Sequence, residues 1–220
     1  MKEFWFKTFK CPICKTLFEA PMVFSEAIKI KKRDDDLRPV YQGINAIYYG
    51  LITCPNCLFT AFEHDYDGLS KEIAGDLKNK IEKVLERAKV QYGDINLGTD
   101  RTTEDAVMLH VIAAAIYTLL NKPNRLAEIY LRLAWLYREQ GNKKKEVHAL
   151  GRALVNFNRV YDTAEDYKQI QRCLFYMGEI NRRLGKRDEA VKYFSILLSK
   201  YRSGGNSIYV RTAQLNRREI

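Results

Sequence analysis

The sequence predicts a mainly α-helical chain in which a small N-terminal β module is followed by an array of helical hairpins. Three observations lead there. Four of the five cysteines fall in two short pairs, Cys11-Pro-Ile-Cys14 and Cys54-Pro-Asn-Cys57. From Leu69 onward apolar residues return every three or four positions, the period of an amphipathic helix. Two stretches of the helical part then match each other at an offset of 44 residues.

The first module spans residues 1–67. A two-residue gap lets both thiolates of a pair turn toward one point, and a second pair completes a tetrahedron of sulfur, the ligand set of a structural zinc site. Cys11, Cys14, Cys54 and Cys57 are therefore the candidate metal ligands, with Zn2+ as the expected ion and a zinc-ribbon-like module around it. Each Cys-Pro-x-Cys is expected to form a tight knuckle whose amides point at the sulfurs. Met22 to Lys31 reads as a strand, Arg33-Asp34-Asp35-Asp36 as a turn, and Ile47 to Thr53 as a second strand leading into the second knuckle. The 39 residues between Cys14 and Cys54 exceed the usual ribbon gap, so an insertion is expected at 31–45.

The second unit spans residues 68–220. Its first helix runs from Leu69 to Gly93, and Thr103 caps a second over Glu104 to Leu120. Asn121-Lys122-Pro123-Asn124 interrupts the chain, and helices follow over 125–140, 143–161, 164–184 and 187–201, with a short one over 207–218. Leu174, Gly178, Gly185, Ala190, Phe194 and Leu197 occupy the small-residue and aromatic slots of a tetratricopeptide-like helix pair, with Gly178 and Ala190 where the helices touch. Tyr130, Ala134, Gly141, Leu150 and Ala153 occupy the same slots upstream. Glu146 sits where a small residue is expected, and both copies lack the closing proline.

The chain has 220 residues and a formal charge of +10. Residues 1–67 hold nine Lys/Arg and nine Asp/Glu, so the whole excess, 28 against 18, lies in residues 68–220. A basic stretch of this kind attracts phosphates or acidic partners. The aromatics fall at core positions rather than between the charges, which favours a solvated helix surface. The longest apolar stretch, Val107 to Leu120, is too short to span a bilayer and His110 breaks it. No secretory segment is visible, and an odd cysteine count with Cys-x-x-Cys spacing favours a reducing cytoplasm.

A redox dithiol or an iron–sulfur centre are the other readings of the four cysteines. A redox site normally uses one pair on a larger α/β scaffold. With sulfur at all four corners no position is left for water, which argues against catalytic zinc. Asp34 to Asp36 and Glu63-His64-Asp65 lack the spacing of a calcium loop and read as solvated acidic turns. His110 reads as a core residue, His148 as a surface residue and Cys173 as a buried inert thiol. No phosphate loop, nucleophile elbow or His-Glu-x-x-His pair is present, so no catalytic residue is assigned and an enzyme is not expected.

These residues resemble the bacterial domain-of-unknown-function family 2225. Its marks are Cys-Pro-x-Cys, an Arg-Asp-x-Asp stretch, Tyr-x-Gly-x-Asn, and a second Cys-Pro-x-Cys with an aromatic-rich tail. Here they are Cys11 to Cys14, Arg33 to Asp36, Tyr41 to Asn45, and Cys54 to Cys57 followed by Phe59, Ala61 and Phe62. Lys15 and Leu58 depart from the knuckle pattern, in which a glycine commonly follows the second cysteine. The resemblance implies a tetratricopeptide-like helical part and gives the Arg33–Asp36 loop a role beyond filler.

The function expected is that of a cytoplasmic, zinc-binding scaffold whose helical array binds a peptide or protein through its concave face. Tyr130, Trp135, Arg138, Glu179 and Arg182 are the candidate partner-binding residues. The alternative is nucleic-acid binding through the zinc module and the basic C-terminal helices. The neutral charge of the first module weighs against it.

Overall fold

The N-terminal module is three antiparallel two-stranded ribbons, and two of them carry the cysteine pairs at their tips. β1 (Phe4–Lys10) pairs with β2 (Leu17–Val23), Phe4 opposite Val23 and Lys10 opposite Leu17, so residues 11–16 form the turn. β3 (Ile30–Arg33) pairs with β4 (Pro39–Tyr41) around the acidic turn. β5 (Leu51–Thr53) pairs with β6 (Thr60–Phe62), and residues 54–59 form its turn. The computed structural model describes residues 2–201 and 207–220.

The strands expected from composition are shorter and divided. Met22–Lys31 contains the end of β2, a 3-10 turn at Ser25–Ala27 and the start of β3. Pairing with β1 determines where β2 stops, which β-propensity alone does not encode. Ile47–Thr53 opens as a 3-10 turn at Ala46–Tyr49, because the Asn45 side chain accepts from the Ile47 amide. The Tyr48 hydroxyl reaches Thr103 and Glu139, and the Tyr49 hydroxyl donates to the Thr99 carbonyl.

Eight helices are described: α1 (Glu63–Glu72), α2 (Gly75–Tyr92), α3 (Thr103–Leu119), α4 (Pro123–Glu139), α5 (Lys143–Tyr161), α6 (Tyr167–Arg183), α7 (Arg187–Tyr201) and α8 (Ile208–Asn216). The helix expected over Leu69–Gly93 is broken at Ile73 and Ala74, which are extended, and Gly75 follows at φ +53°. α1 begins earlier because Tyr66 and Leu69 are buried against the β module; it runs across the Asp67–Gly68 step. The cap of α3 is Thr102, not Thr103: its side chain and that of Asp105 bond each other's backbone amides.

α4 pairs with α5 and α6 with α7, α3 packs on α4, and α8 lies across α6 and α7. At Gly178 a Cβ would lie 2.6 Å from the Phe194 ring, so a glycine is needed for α6 and α7 to approach this closely. The β module is not a separate bead. Phe59, Phe62 and Tyr66 belong to one buried cluster with Leu109, Tyr117 and the array. The Phe62 amide donates to the Tyr117 hydroxyl, which donates to Asp65 (2.6 Å), and Arg125 grips the same carboxylate.

Candidate metal centre and docked acidic loop

The two knuckles have one shape. Lys15 N–H donates to the Cys11 carbonyl and Cys11 N–H to that of Thr16; Leu58, Cys54 and Phe59 repeat this in the second hairpin. Lys15 and Leu58, which stand where glycine is common, are left-handed at φ 64° and 60°. The turn thus keeps its form without glycine. The conformation costs on the order of 1–2 kcal/mol per residue. Lys15 Nζ donates to the Pro12 carbonyl, and Leu58 is buried.

Packing the hairpin tips together brings the four sulfurs within 4.8 Å of one another. Cys11 and Cys57 Sγ lie 3.4 Å apart, Cys14 and Cys54 Sγ 3.6 Å. A tetrahedron of thiolates on a metal at ~2.3 Å has edges of about 3.8 Å, so these separations suit one ion at the centre. Cys11, Cys54 and Cys57 are buried and Cys14 is half-buried. The amides of Ile13 and Cys14 face Cys11, and that of Cys57 faces Cys54. Four thiols this close cannot all ionise without a cation. Hydrogen bonds from Cys54 and Cys57 pull Cys11 down to about 2; facing Cys11, Cys54 is pushed up to about 12 and Cys57 further still. A divalent ion removes that conflict by replacing the protons. The four cysteines can hold a metal ion with no corner left open.

Tyr66 lies beneath the cluster, boxed in by Phe9, Phe18 and Phe59. Its hydroxyl is buried without a formed hydrogen bond and faces Cys11; burial above all raises its pKa. No spacing rule in the sequence points to Tyr66.

The acidic turn is solvated only in part: Asp35 is exposed and Asp34 half-buried, whereas Asp36 is buried. Leu37, at φ 62°, closes it, and the loop docks against α4, α6 and α8. Asp36 is only 2% exposed. Its Oδ2 accepts from Trp135 Nε1 at 3.0 Å and lies 2.8 Å from Arg138 Nη2 and 3.3 Å from Arg183 Nε. Asp35 pairs with Arg182 and Arg183; burial alone would raise its pKa, but the arginines hold it below the usual value. Glu179, buried under the same arginines, is raised, burial outweighing their charge. Asn216 Nδ2 bridges Glu179 and the Asp35 carbonyl. Glu146, in the small-residue slot, is buried and bonds Arg138 Nε at 2.8 Å.

Four of the five candidate partner-binding residues, Trp135, Arg138, Glu179 and Arg182, thus meet around this loop. Tyr130 stands apart, half-buried beneath the Arg152 guanidinium. Arg183 and Asn216 complete the constellation; Arg183, adjacent to Arg182, carried no separate signal. His64 and His148 are exposed. His110 is buried, its Nδ1 on the Ala106 carbonyl and its Nε2 unpartnered, and burial first and Arg132 second push it down to about 3. Cys173 is buried and pushed up to about 11, a thiol that stays protonated. Among the described residues, no helix is long and apolar enough to cross a membrane.

A protein of Borreliella burgdorferi described as "Uncharacterized protein" is 25% identical over 153 residues, which are 61% of this chain. The match takes in 54% of that relative, so the chain spans about half the length of the protein it resembles. No solved structure matches. The family described as "Uncharacterized protein conserved in bacteria (DUF2225)" matches residues 4–218, both knuckles, the docked loop and the array included. The chain belongs to the DUF2225 family.

Proposed function

We propose that this chain is a zinc-stabilised, non-enzymatic interaction protein whose tetratricopeptide-like array engages an acidic segment of a protein or peptide partner. Zn2+ suits a closed, all-thiolate tetrahedron and is redox-inert, as a structural ion should be. Its binding would contribute on the order of 10–16 kcal/mol to folding a module of three two-stranded ribbons, each marginal alone.

The observation behind the interaction reading is the docked loop. One face of α4 and α6 already holds an acidic turn, Asp34 to Arg38, through guanidinium–carboxylate pairs and an indole donor. That is the chemistry of peptide recognition, exercised on the chain's own acidic side chains. A partner segment of like charge would compete with the loop for Arg182 and Arg183.

Cross-linking and affinity purification from source cells tests this reading. Asp35→Ala, which leaves Asp36 to hold the loop, should raise recovery of a partner cross-linked to α4 or α6, and Arg182→Ala should lower it. Equal recovery with both variants would refute the array as the binding face. Recovery of DNA or RNA alone, lost steeply with salt, would favour the nucleic-acid alternative.

A further inference from the structure

Beside the docked loop, between the β3–β4 ribbon, α4, α6 and α8, lies a cavity of about 430 Å³. That volume falls in the range of small-molecule sites, ~300–1,000 Å³. Three guanidinium groups line it, those of Arg33, Arg132 and Arg172, against one carboxylate, Glu128. Three positive charges less one negative leaves a surplus of two, in a chain that elsewhere on this face pairs its arginines closely.

Two of these arginines are held in place. Arg132 bonds one oxygen of Glu128 and lies 5.1 Å over the Phe62 ring; Arg172 lies 3.5 Å from the other oxygen. A Cβ at residue 50 would sit 2.5 Å from Arg132 Nη1, so Gly50 leaves the space that the guanidinium fills. Arg172 stacks over Phe157 and Tyr176. Arg33 reaches in from exposed β3, with one bond to the Leu37 carbonyl. Glu128 orients two cations but can neutralise only one. The remaining wall mixes aliphatic side chains such as Ile47 and Leu131 with aromatic ones, among them Tyr41 and Tyr209, both half-buried.

We infer that this cavity binds an aromatic phosphate monoester of the nucleoside monophosphate class. The dianionic phosphate matches the surplus of two charges and the forked donors of Arg33, Arg132 and Arg172. The ring lies against the tyrosines, whose flat faces suit stacking. The cavity adjoins the face that holds Asp35 and Asp36 and shares Leu37 and Trp135 with it, but its three arginines are not those that hold the aspartates, and it does not depend on the reading of that face as a partner surface.

The test is calorimetric titration of the full metal-loaded chain with AMP, alongside adenosine and inorganic phosphate. Saturable AMP binding is expected, weakened ~10-fold or more in Arg172→Gln and in Arg33→Gln, since each removes a charge-assisted donor. Arg33 is on an exposed strand, so its variant keeps the fold even if Arg172→Gln does not. Adenosine and phosphate should each bind at least ~10-fold more weakly than AMP. Absence of saturation at roughly millimolar AMP, equal affinity of wild type and Arg33→Gln, or phosphate binding as tightly as AMP would each overturn the proposal.

Discussion

Replacing Asp36 with alanine tests how the β module is held to the array. The carboxylate is 2% exposed and serves Trp135, Arg138, Arg183 and the Arg38 amide. Removing it leaves Arg138 with Glu146, Arg183 with Glu179 and Asp35, and the Trp135 indole N–H with no acceptor. Breaking a buried ion pair from one side typically costs ~3–5 kcal/mol; because both arginines keep another carboxylate, the loss here should sit at the low end, about 3 kcal/mol, with the orphaned indole N–H included. For a chain of this size that corresponds to a fall in melting temperature of roughly 6–12 °C. Asp36→Asn keeps an acceptor for Trp135 but not the charge, and should cost less, about 1.5–3 kcal/mol. Urea denaturation with native-state hydrogen exchange reads both the size and the place of the loss, which should centre on residues 33–41. A loss below ~1 kcal/mol with unchanged protection of the loop would refute the clasp as a stabilising contact and leave it a surface ion pair of small value.

Three further outcomes follow from the geometry. Metal analysis should find one zinc ion per chain, and Cys11→Ser or Cys54→Ser should lose it together with protection of residues 4–62, while helical circular dichroism largely persists; full folding of both variants without metal would overturn the structural site. His110 has a folded pKa of about 3, below its ordinary 6.5, so the unfolded chain binds the extra proton. Its stabilisation is therefore complete above pH ~6.5 and is lost as pH falls toward 3, at up to about 1.4 kcal/mol per pH unit. The urea midpoint should drop between pH 7 and 5.5 in the wild type and less in His110→Leu; identical drops would show that His110 does not carry the effect. Gly178→Ala places a methyl 2.6 Å from the Phe194 ring and should cost ~1–3 kcal/mol through overpacking; an unchanged melting curve would mean that α6 and α7 part freely.

Much of the chain is legible because short-range rules govern it. A gap of two residues directs Cys11 with Cys14, and Cys54 with Cys57, whatever the rest of the molecule does. The 3.6-residue period locates α3 to α7 within two or three residues of where they lie; α5 starts at Lys143 as expected, whereas α4 starts two residues early, with Pro123 in its first turn, and α6 three residues late, where Asp166 caps it. Gly43, at φ +86°, and Asn45, capping the 3-10 turn, give the Tyr41–Asn45 motif a local reason as well.

The acidic turn shows where local rules stop. Three consecutive aspartates look like a solvated loop, since burying a carboxylate without a partner is prohibitively costly. Asp34 pairs locally, with Lys32 and Arg38, but the partners of Asp35 and Asp36 stand 99 to 148 residues away, from Trp135 to Arg183. Only packing brings them together, and it turns an apparent surface feature into a buried joint. In the same way Arg33, Arg132 and Arg172 are unremarkable in a basic chain until the ribbon, α4 and α6 place them around one cavity. The sequence by itself determined the two paired-cysteine knuckles and the helical character of this protein, because bond geometry and backbone periodicity act over a few residues. The tertiary structure alone decided which charges are satisfied and which are left facing space, because Coulomb pairing and desolvation depend on distances that chain position does not encode.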